Sequence, residues 1–337
     1  MLDVAAAAGA TSRDVALVVA ADQRVEPALR RRIAEAINAT GYRPLESILV
    51  SLGRAPRFAV VLKVFWGDDP EENRFYTPIA SAIAHICSAH GAEVVPVTMT
   101  VDDHFELVDV PPTLCDGACD GAFILGAQLS AGAAERIRAV SPPIVLVDGY
   151  SEGDTLDSVV TDNVGGGRLA VEHLIAAGHS GIGLLGTEPV CYPSMQGRRS
   201  GYAEALAVHG LQPHFIDTPY LLADAAGIVA VGYLRHHPDV TAIFGANDRI
   251  TVATMEIARS AGFDVPGDVS LVGFDDIDLA SLVMPALTTL AVDKTLMGRA
   301  GFALLTHRLE VPSAEPLTSL IIPRLIERES VAPPRAR

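Results

Sequence analysis

From position 58 onward, short apolar runs alternate with longer amphipathic stretches. A short apolar run is typical of a buried strand, whereas apolar positions three and four residues apart are typical of a helix. The first series of such segments therefore predicts one α/β lobe. Its strands are predicted at Phe58–Val64, Glu93–Val97, Gly121–Leu125, Ile144–Val147 and Val159–Val160, and its helices at Ile79–His90 and Ala131–Val140.

A second series of the same kind follows and predicts a second lobe. Its strands are predicted at Gly181–Leu185, Ala242–Gly245 and Val269–Gly273, and its helices at Val164–Ala177, Gly197–His209, Gly227–His236 and Asp248–Ala261. Regular alternation of strand and helix favours parallel sheets that are covered on both faces. The pattern thus predicts an α/β core of two doubly wound parallel sheets, with a cleft between two similar lobes.

The segment before the lobes predicts three short helices. Asp3–Ala8 is rich in alanine, which favours a helix, and Gly9 can adopt the left-handed backbone of a tight turn. Thr11 followed three residues later by Asp14 predicts a capping box at the start of a second helix. Residues 26–41 predict a third helix with proline in its first turn. This order is typical of a helix-turn-helix, and a plain three-helix cap is the alternative.

Charge is distributed unevenly along the 337 residues, whose formal net charge is −16. Residues 1–57 carry a net charge of +2 and the remainder −18, which suits DNA contact confined to one end of the chain. An excess of +2 is equally consistent with chance. Four scattered cysteines predict free thiols and no metal site. The sequence lacks a signal-peptide pattern and an apolar run long enough to cross a membrane, so we expect a cytoplasmic protein without a membrane partner.

Short motifs that match one known protein family, in the same order as in that family, extend from the first residues almost to the end of the chain. They include Asp3-Val4-Ala5, Ala8-Gly9, Gly41-Tyr42-Arg43-Pro44, Asp162-Asn163, Gly178-His179, Gly201-Tyr202, Asn247-Asp248, Gly273-Phe274-Asp275-Asp276 and Pro285-Ala286-Leu287-Thr288-Thr289. In these segments the chain resembles the lac repressor-like (LacI/GalR) family of transcriptional regulators.

The resemblance implies a division of the chain into three parts. These are a helix-turn-helix DNA-binding head at 1–44, a hinge at 45–57 and a two-lobed core like that of periplasmic binding proteins at 58–330. Lobe one is expected at about 58–160 plus 291–320, and lobe two at about 161–290 plus 321–330.

DNA contact is implied for six residues of the head and hinge, namely Thr11, Ser12, Arg13, Tyr42, Arg43 and Leu52. The second helix nevertheless departs from the family pattern Ser-x-x-Thr-Val-Ser-Arg. Asp14 stands where a phosphate-contacting threonine is expected, and Ala16 and Leu17 replace serine and arginine. Because a carboxylate repels phosphate and a lost arginine removes a cation, Ser12 and Arg13 remain the candidates for base contact.

An effector site in the cleft between the lobes is also implied, with the candidate residues Phe75, Tyr76, Asp148, Arg198, Asn247 and Asp275. Arg198 would donate to ligand oxygens and Asp275, at the carboxyl end of a strand, would accept from sugar hydroxyls. The alternatives are a solvated helix charge for Arg198, and local caps for Asp275 and Asn247. Leu222 stands where the family often has an aromatic residue, and Tyr220 is the candidate to replace that aromatic face.

An enzyme is the weakest of the functions considered. The segment Gly181-Ile182-Gly183-Leu184-Leu185-Gly186 matches G-x-G-x-x-G, but its glycines lie inside a predicted strand instead of opening a helix, so no nucleotide cofactor is expected. We expect a homodimeric, ligand-responsive transcriptional regulator that binds operator DNA and a sugar-like effector. The alternative is a small-molecule binding protein without working DNA recognition.

Overall fold

The computed structural model describes residues 1–65, 74–101, 109–140, 142–219 and 222–335. Tyr220 lies outside the described residues. The chain divides into two compact units, each made of two segments of sequence. Unit 1 comprises Met1–Val160 and Asp293–Ile321, and unit 2 comprises Thr161–Val292 and Ile322–Arg337.

Helices and strands alternate along most of the chain. The helices are α1 (Leu2–Ala8), α2 (Ser12–Val19), α3 (Pro27–Thr40), α4 (Glu46–Leu52), α5 (Tyr76–Ala89), α6 (Pro112–Cys115), α7 (Ala131–Val140), α8 (Asn163–Ala176), α9 (Pro193–Val208), α10 (Ala223–His236), α11 (Asp248–Ser260), α12 (Asp278–Leu282) and α13 (Lys294–Glu310). The strands are β1 (Arg57–Phe65), β2 (Glu93–Val101), β3 (Gly121–Leu125), β4 (Gln128–Leu129), β5 (Ile144–Val147), β6 (Tyr150–Ser151), β7 (Asp157–Thr161), β8 (Ile182–Leu185), β9 (His214–Ile216), β10 (Ala242–Gly245), β11 (Ser270–Asp275), β12 (Thr288–Ala291), β13 (Thr318–Ile321) and β14 (Arg324–Ile326).

Unit 1 is built on a sheet whose described strands follow the order β13-β7-β5-β3-β1-β2. The pairings of β1 with β2 and β3, of β3 with β5, and of β5 with β7 are parallel. Val61 lies opposite Val97 of β2 and Ile124 of β3, and both Val61 and Ile124 are fully buried. Burial on both faces explains why these strands are continuous apolar runs. The strands predicted for this lobe are confirmed, although β2 continues beyond its predicted end to Val101.

The sheet of unit 2 follows the order β14-β12-β11-β10-β8-β9 among the described strands. Its pairings are parallel except that of β12 with β14, which is antiparallel. When the strands of each sheet are numbered in chain order, the first five lie side by side as second, first, third, fourth and fifth in both sheets. The predicted fold class is thereby confirmed. In open sheets of this kind ligands bind beyond the carboxyl ends of the strands, where the strand order reverses. This position lies near β1 and β3 in unit 1, and near β8 and β10 in unit 2.

The first three helices begin and end as their sequences predict. The Oγ1 of Thr11 accepts from the backbone N of Asp14 at 3.1 Å, and the Asp14 carboxylate accepts from the backbone N of Thr11 at 2.9 Å. The predicted capping box is therefore confirmed. Gly9 ends α1 with a left-handed φ of 58°, and Pro27 opens α3. Helix α4 occupies the middle of the segment 45–57, for which the sequence predicted a hinge.

We expect Tyr202→Phe to lower the free energy of unfolding by about 2 kcal/mol, because one buried and one partly buried backbone group lose a partner. The Tyr202 side chain is fully buried, donates to the carbonyl of Ile182 at 2.8 Å and accepts from the backbone N of His214 at 2.7 Å. Urea denaturation of both proteins measures the difference. Tyr233→Phe is the control, because Tyr233 contacts His214 through its side chain and is half-buried. Equal losses in the two variants would contradict the expectation.

Candidate functional site

Arg198 is at the centre of a polar cluster in unit 2. It lies on α9, is 4% exposed, and its Nε donates to Oδ1 of Asn163 at 3.0 Å. One terminal nitrogen donates to the carbonyl of Ala246, and the other to Oδ1 of Asp275 at 3.1 Å. The guanidinium carbon lies 3.7 Å from the centre of the Phe274 ring. These contacts fix the orientation of Arg198 and exclude the alternative of a solvated helix charge.

Asp275 ends β11 at the carboxyl edge of the sheet. Both Asp275 and the following Asp276 have positive φ angles, 110° and 50°, which residues with a Cβ rarely adopt. Backbone strain of this kind is concentrated at functional sites, where the surrounding structure holds it in place. Arg328 pairs with Asp276 at 2.7 Å and Arg198 pairs with Asp275 at 3.1 Å, so each carboxylate of the turn has a cationic partner.

Asn247 follows β10 and caps α11. Its Oδ1 accepts from the backbone N of Ile250 at 2.9 Å, so the structure supports the capping role. The preceding residue, Ala246, provides the carbonyl that Arg198 contacts. Asn247 is therefore adjacent in sequence to a direct partner of Arg198, which keeps it a candidate for ligand contact.

Asp248, the next residue, is buried beneath the turn that follows β11. Its Oδ1 accepts from the Oγ1 of Thr289 at 2.5 Å, and its Oδ2 accepts from the backbone N of Ile277 at 2.9 Å. Burial, and then the neighbouring Asp275 carboxylate, raise the pKa of Asp248 to about 8. The Asp248 carboxyl group is therefore mostly protonated and neutral at pH 7.

A second polar cluster belongs to unit 1 and surrounds Asp148, directly after β5. Asp148 is buried, has a left-handed φ of 51°, and accepts from the hydroxyl of Tyr76 at 2.8 Å. Tyr76 begins α5 and packs edge-on against Phe75, with ring centres 5.1 Å apart. Gly126 makes room for Tyr76, because a Cβ on Gly126 would lie 2.3 Å from the tyrosine ring. The structure thus brings together the three candidate residues predicted for lobe one.

Lys63 adds a buried cation to the cluster of unit 1. It lies on β1, is 8% exposed, and its Nζ is 5.7 Å from the centre of the Tyr76 ring. Burial lowers the pKa of Lys63 to about 8, although the Asp148 carboxylate opposes the shift. At pH 7 the lysine is mostly protonated, so its charge offsets that of Asp148.

Sequence reasoning found Arg198, Asn247 and Asp275 in unit 2, and the structure joins Arg198 to Asp275 directly. It missed four members of the two clusters: Lys63, Asn163, Asp248 and Phe274. Lys63 had a recognisable signal, since it is a single charge inside a predicted buried strand. The other three lie within motifs that match the family, but their roles in the clusters come from tertiary neighbours.

The three-helix head packs against unit 1's own helix α13. Helix α2 contacts α13 as well as α1 and α3, and both Ala16 on α2 and Ala20, which directly follows it, are fully buried. The Tyr42 hydroxyl donates to Oε1 of Glu310, the last residue of α13, at 3.1 Å. Burial and the Glu310 carboxylate both raise the pKa of Tyr42. The helix expected to contact DNA bases is therefore partly covered.

A second contact joins the loop after α2 to strand β13. Asp22 is 1% exposed and accepts from Nε of Arg24 at 3.0 Å and from the backbone N of Leu320 at 3.2 Å. Arg24 also donates to the Thr318 carbonyl at 2.7 Å. Burial raises the pKa of Asp22, but the bonds from Arg24 outweigh this effect and the pKa is lowered.

The other residues for which DNA contact was predicted remain near the surface. Thr11 and Arg13 are exposed at the start of α2, and Ser12 is half-buried between them. Arg43 is exposed after α3, and Leu52 is 37% exposed at the end of α4. Of these six candidates, Tyr42 is bonded to α13, through the carboxylate of Glu310.

A cavity of about 480 Å³ in unit 1 lies at the amino ends of β5 and β7, not at their carboxyl ends. Arg308 and Asp157 contribute to its wall. All the guanidinium nitrogens of Arg308 are already bonded to Asp157 and to the carbonyls of residues 312, 314 and 315. The wall of the cavity therefore contains an ion pair whose guanidinium donors all have partners already. We do not assign this cavity to the effector.

Within the described ranges, no group of three or more His, Cys, Asp or Glu side chains is arranged to hold a metal ion. Among the same residues, no helix is both long and apolar enough to span a bilayer.

Comparison with known proteins relates the whole chain to one group of regulators. The family described as periplasmic binding protein-like domain matches residues 171–331. The ribose operon repressor of Escherichia coli (strain K12) is 27% identical over 333 residues, which are 98% of this chain and 99% of the relative. The structure of the transcriptional regulator CelR in complex with cellobiose is 26% identical, with a TM-score of 0.66 over 97% of this chain and 98% of the neighbour. The lac repressor dimer bound to operator is 22% identical, and its fold matches with a TM-score of 0.68 over 98% of both chains.

Over nearly its whole length the chain is similar to transcriptional regulators of the LacI/GalR kind. The resemblance noted in the sequence is thereby confirmed, and its regulatory relatives count against an enzyme. The structure also gives a physical reason for one departure of α2 from the pattern of that family. Ala16 replaces a serine at a position that is completely buried here, where a hydroxyl without a partner would cost free energy.

Proposed function

We propose that this chain is a LacI/GalR-type, ligand-responsive transcriptional regulator, a repressor in the sense of its ribose-operon relative, acting in the cytoplasm as a homodimer. It would bind operator DNA through the head at 1–44 and a neutral, polyhydroxylated small molecule through the polar clusters of the core. The observation that carries the ligand half of the proposal is the buried Arg198–Asp275 pair at the carboxyl edge of the unit 2 sheet.

The charges of both clusters favour a neutral ligand. Arg198 is paired with Asp275, and Asp248 is mostly protonated at pH 7. In unit 1 the charge of Lys63 offsets that of Asp148. An ionic ligand would leave an uncompensated charge in a buried site, which is costly. A sugar instead offers adjacent hydroxyls, which can donate to a carboxylate and accept from a guanidinium.

The ligands of the relatives agree with this chemistry. One relative is named as the ribose operon repressor, and a structural neighbour is complexed with cellobiose. Ribose and cellobiose are therefore the first two sugars to test with this chain.

DNA binding would use the exposed start of α2, where Ser12 and Arg13 are the candidate base contacts; the hydroxyl of Thr11 already donates to the Asp14 carboxylate at 2.7 Å. Because α2 is packed on α13, the head must leave α13 before α2 can enter a major groove. Two heads are needed to contact two operator half-sites, which is why we propose a dimer. The apolar side chains exposed on α10, Ile228 (65% exposed) and Val229 (46% exposed), offer a surface for a second copy.

The test uses the purified full chain and the DNA upstream of its own gene. We expect fluorescence anisotropy to show DNA binding that weakens with added salt, as release of counterions from phosphates requires. Ribose or cellobiose is expected to change this affinity by about 5- to 150-fold, the usual range of allosteric coupling. Sugar binding without DNA binding at any salt concentration would instead support a binding protein without DNA recognition. Absence of both would overturn the proposal.

A further inference from the structure

The carboxyl group of Asp248 lies beneath the turn that carries Asp275. Asp248 is completely buried, and its two oxygens accept from Thr289 of β12 and from the backbone N of Ile277. Ile277 is the first residue after the two aspartates with positive φ. Asp248 therefore connects the start of α11 to the far end of this turn.

The turn needs an anchor because its backbone is unfavourable. Asp275 and Asp276 have φ angles of 110° and 50°, and neither is a glycine. Such conformations persist only where surrounding contacts hold them. Arg198 and Arg328 hold the two side chains, whereas Asp248 bonds to the main chain itself.

The neighbouring sequence leaves space for the Asp248 carboxyl group. A Cβ on Gly273 would lie 2.2 Å from its Oδ1, so only a glycine fits on β11 at that point. Thr289 places its hydroxyl 2.5 Å from the same oxygen. A glycine on one strand and a threonine on the next are thus both fitted to this one side chain.

We propose that Asp248 is a positioning residue, which holds the 275–277 turn so that Asp275 faces the ligand in the correct orientation. This inference rests on the proposed function, since it concerns the same ligand site. Asp248 makes no ligand contact in this proposal and acts through Ile277 and Asp275.

The charge state of Asp248 provides a readout of this role. The charged groups that face it from the packed elements are Asp275 and Asp276, which are themselves paired with Arg198 and Arg328. At pH 7 the protonated Asp248 adds no third negative charge to this group. Above pH 8 ionisation adds that charge beside Asp275, so we expect the turn to loosen and ligand affinity to fall.

The raised pKa of Asp248 also makes the stability of the folded chain depend on pH. Asp248 titrates near pH 4 in the unfolded chain and at about 8 in the folded one. The folded state therefore binds the proton more tightly than the unfolded state does. As a result, ionisation of Asp248 lowers the free energy of unfolding as pH rises from about 4 to 8, and causes no further loss above pH 8. An asparagine, which is neutral at every pH, removes this dependence.

The experiment compares Asp248→Asn and Asp248→Ala with the unchanged protein, and needs no ligand for its first part. Hydrogen exchange of the 275–277 segment is expected to rise at least about tenfold in Asp248→Ala, because the Ile277 amide loses its acceptor, and less than about threefold in Asp248→Asn. Thr254→Val is the control, because its buried hydroxyl bonds within the same helix, to the Ile250 carbonyl at 2.7 Å. Unchanged exchange in Asp248→Ala overturns the proposal, whether or not any sugar binds.

Two further measurements distinguish positioning from a merely structural role. Relative to Asp248→Asn, the folding constant of the unchanged protein should fall by up to tenfold per pH unit between about pH 4 and 8. Calorimetry with ribose and cellobiose should show affinity that declines above pH 8 in the unchanged protein and stays level in Asp248→Asn. Identical pH profiles in the two proteins overturn the proposal. If neither sugar binds, the proposed function fails, but hydrogen exchange still decides the role of Asp248.

Discussion

Replacing Asp275 by alanine is expected to weaken sugar binding at least about 100-fold, because charge-assisted hydrogen bonds to two hydroxyls are lost together. Arg198 also loses its carboxylate partner, which leaves the buried guanidinium with Asn163, the Ala246 carbonyl and the Phe274 ring. These contacts are numerous enough that we expect the chain to remain folded. Isothermal titration with ribose and cellobiose measures the loss, and circular dichroism checks the fold.

The chain contains a closely matched control for this substitution. Arg199, the next residue on α9, pairs with Asp217 at 2.6 Å and stacks on Phe215 at 3.7 Å, much as Arg198 pairs with Asp275 and stacks on Phe274. Asp217 is however 41% exposed and lies after β9, away from the β11 turn. We expect Asp217→Ala to change affinity by less than about threefold, as for an exposed ion pair. Equal effects of the two variants would remove the β11 turn from the ligand site.

The fold was predictable from sequence because its signals are local. The apolar run Gly121–Leu125 is long enough to identify β3, and the pair Thr11 and Asp14 identifies the start of α2. Strand β9, at His214–Ile216, escaped prediction because three residues carry too little periodicity. Helix α4 escaped prediction for a different reason, since the resemblance indicated a hinge at this segment.

The candidate site was predictable only in part, for physical reasons. The family resemblance, together with the position of Asp275 at the end of a strand, predicts a ligand carboxylate there. The partners of Arg198 come from α8, the end of β10 and the end of β11, and no spacing in the sequence connects them. The neutral state of Asp248 depends on burial and on Asp275, so it too requires the tertiary structure.

The docking of the head had no sequence signal, because Tyr42 and Glu310 are 268 positions apart. Packing against α1, α3 and α13 nevertheless accounts for the apolar residues on α2. A side that enters a major groove needs polar groups for bases and phosphates, whereas a side packed on neighbouring helices needs small apolar ones. Ala16 and Ala20 suit the second requirement, and Ser12 and Arg13, at the exposed start of α2, suit the first.

Removing the two docking contacts together, with Asp22→Ala and Glu310→Ala, is expected to increase DNA affinity by about 10- to 100-fold. The physical reason is that a head released from α13 and β13 no longer has to break the bond of Asp22 to Leu320, or that of Tyr42 to Glu310, before it binds. The gain equals the stability of the docked state that is lost, about 1.4 kcal/mol for each factor of ten. Fluorescence anisotropy with the upstream DNA measures it, and limited trypsin digestion reports the release of the head.

Acidification offers an independent check on the Asp22 contact. The pKa of Asp22 is lowered in the folded chain. The stability that the Asp22 carboxylate contributes is therefore present above the unfolded pKa and is lost as pH falls through the folded pKa.

For the double variant, Asp3→Ala, on an exposed residue of α1, is the control and should leave both trypsin digestion and DNA affinity unchanged. If the double variant frees the head and DNA affinity does not rise, then α2 does not contact bases, and the apolar side of α2 serves unit 1 alone.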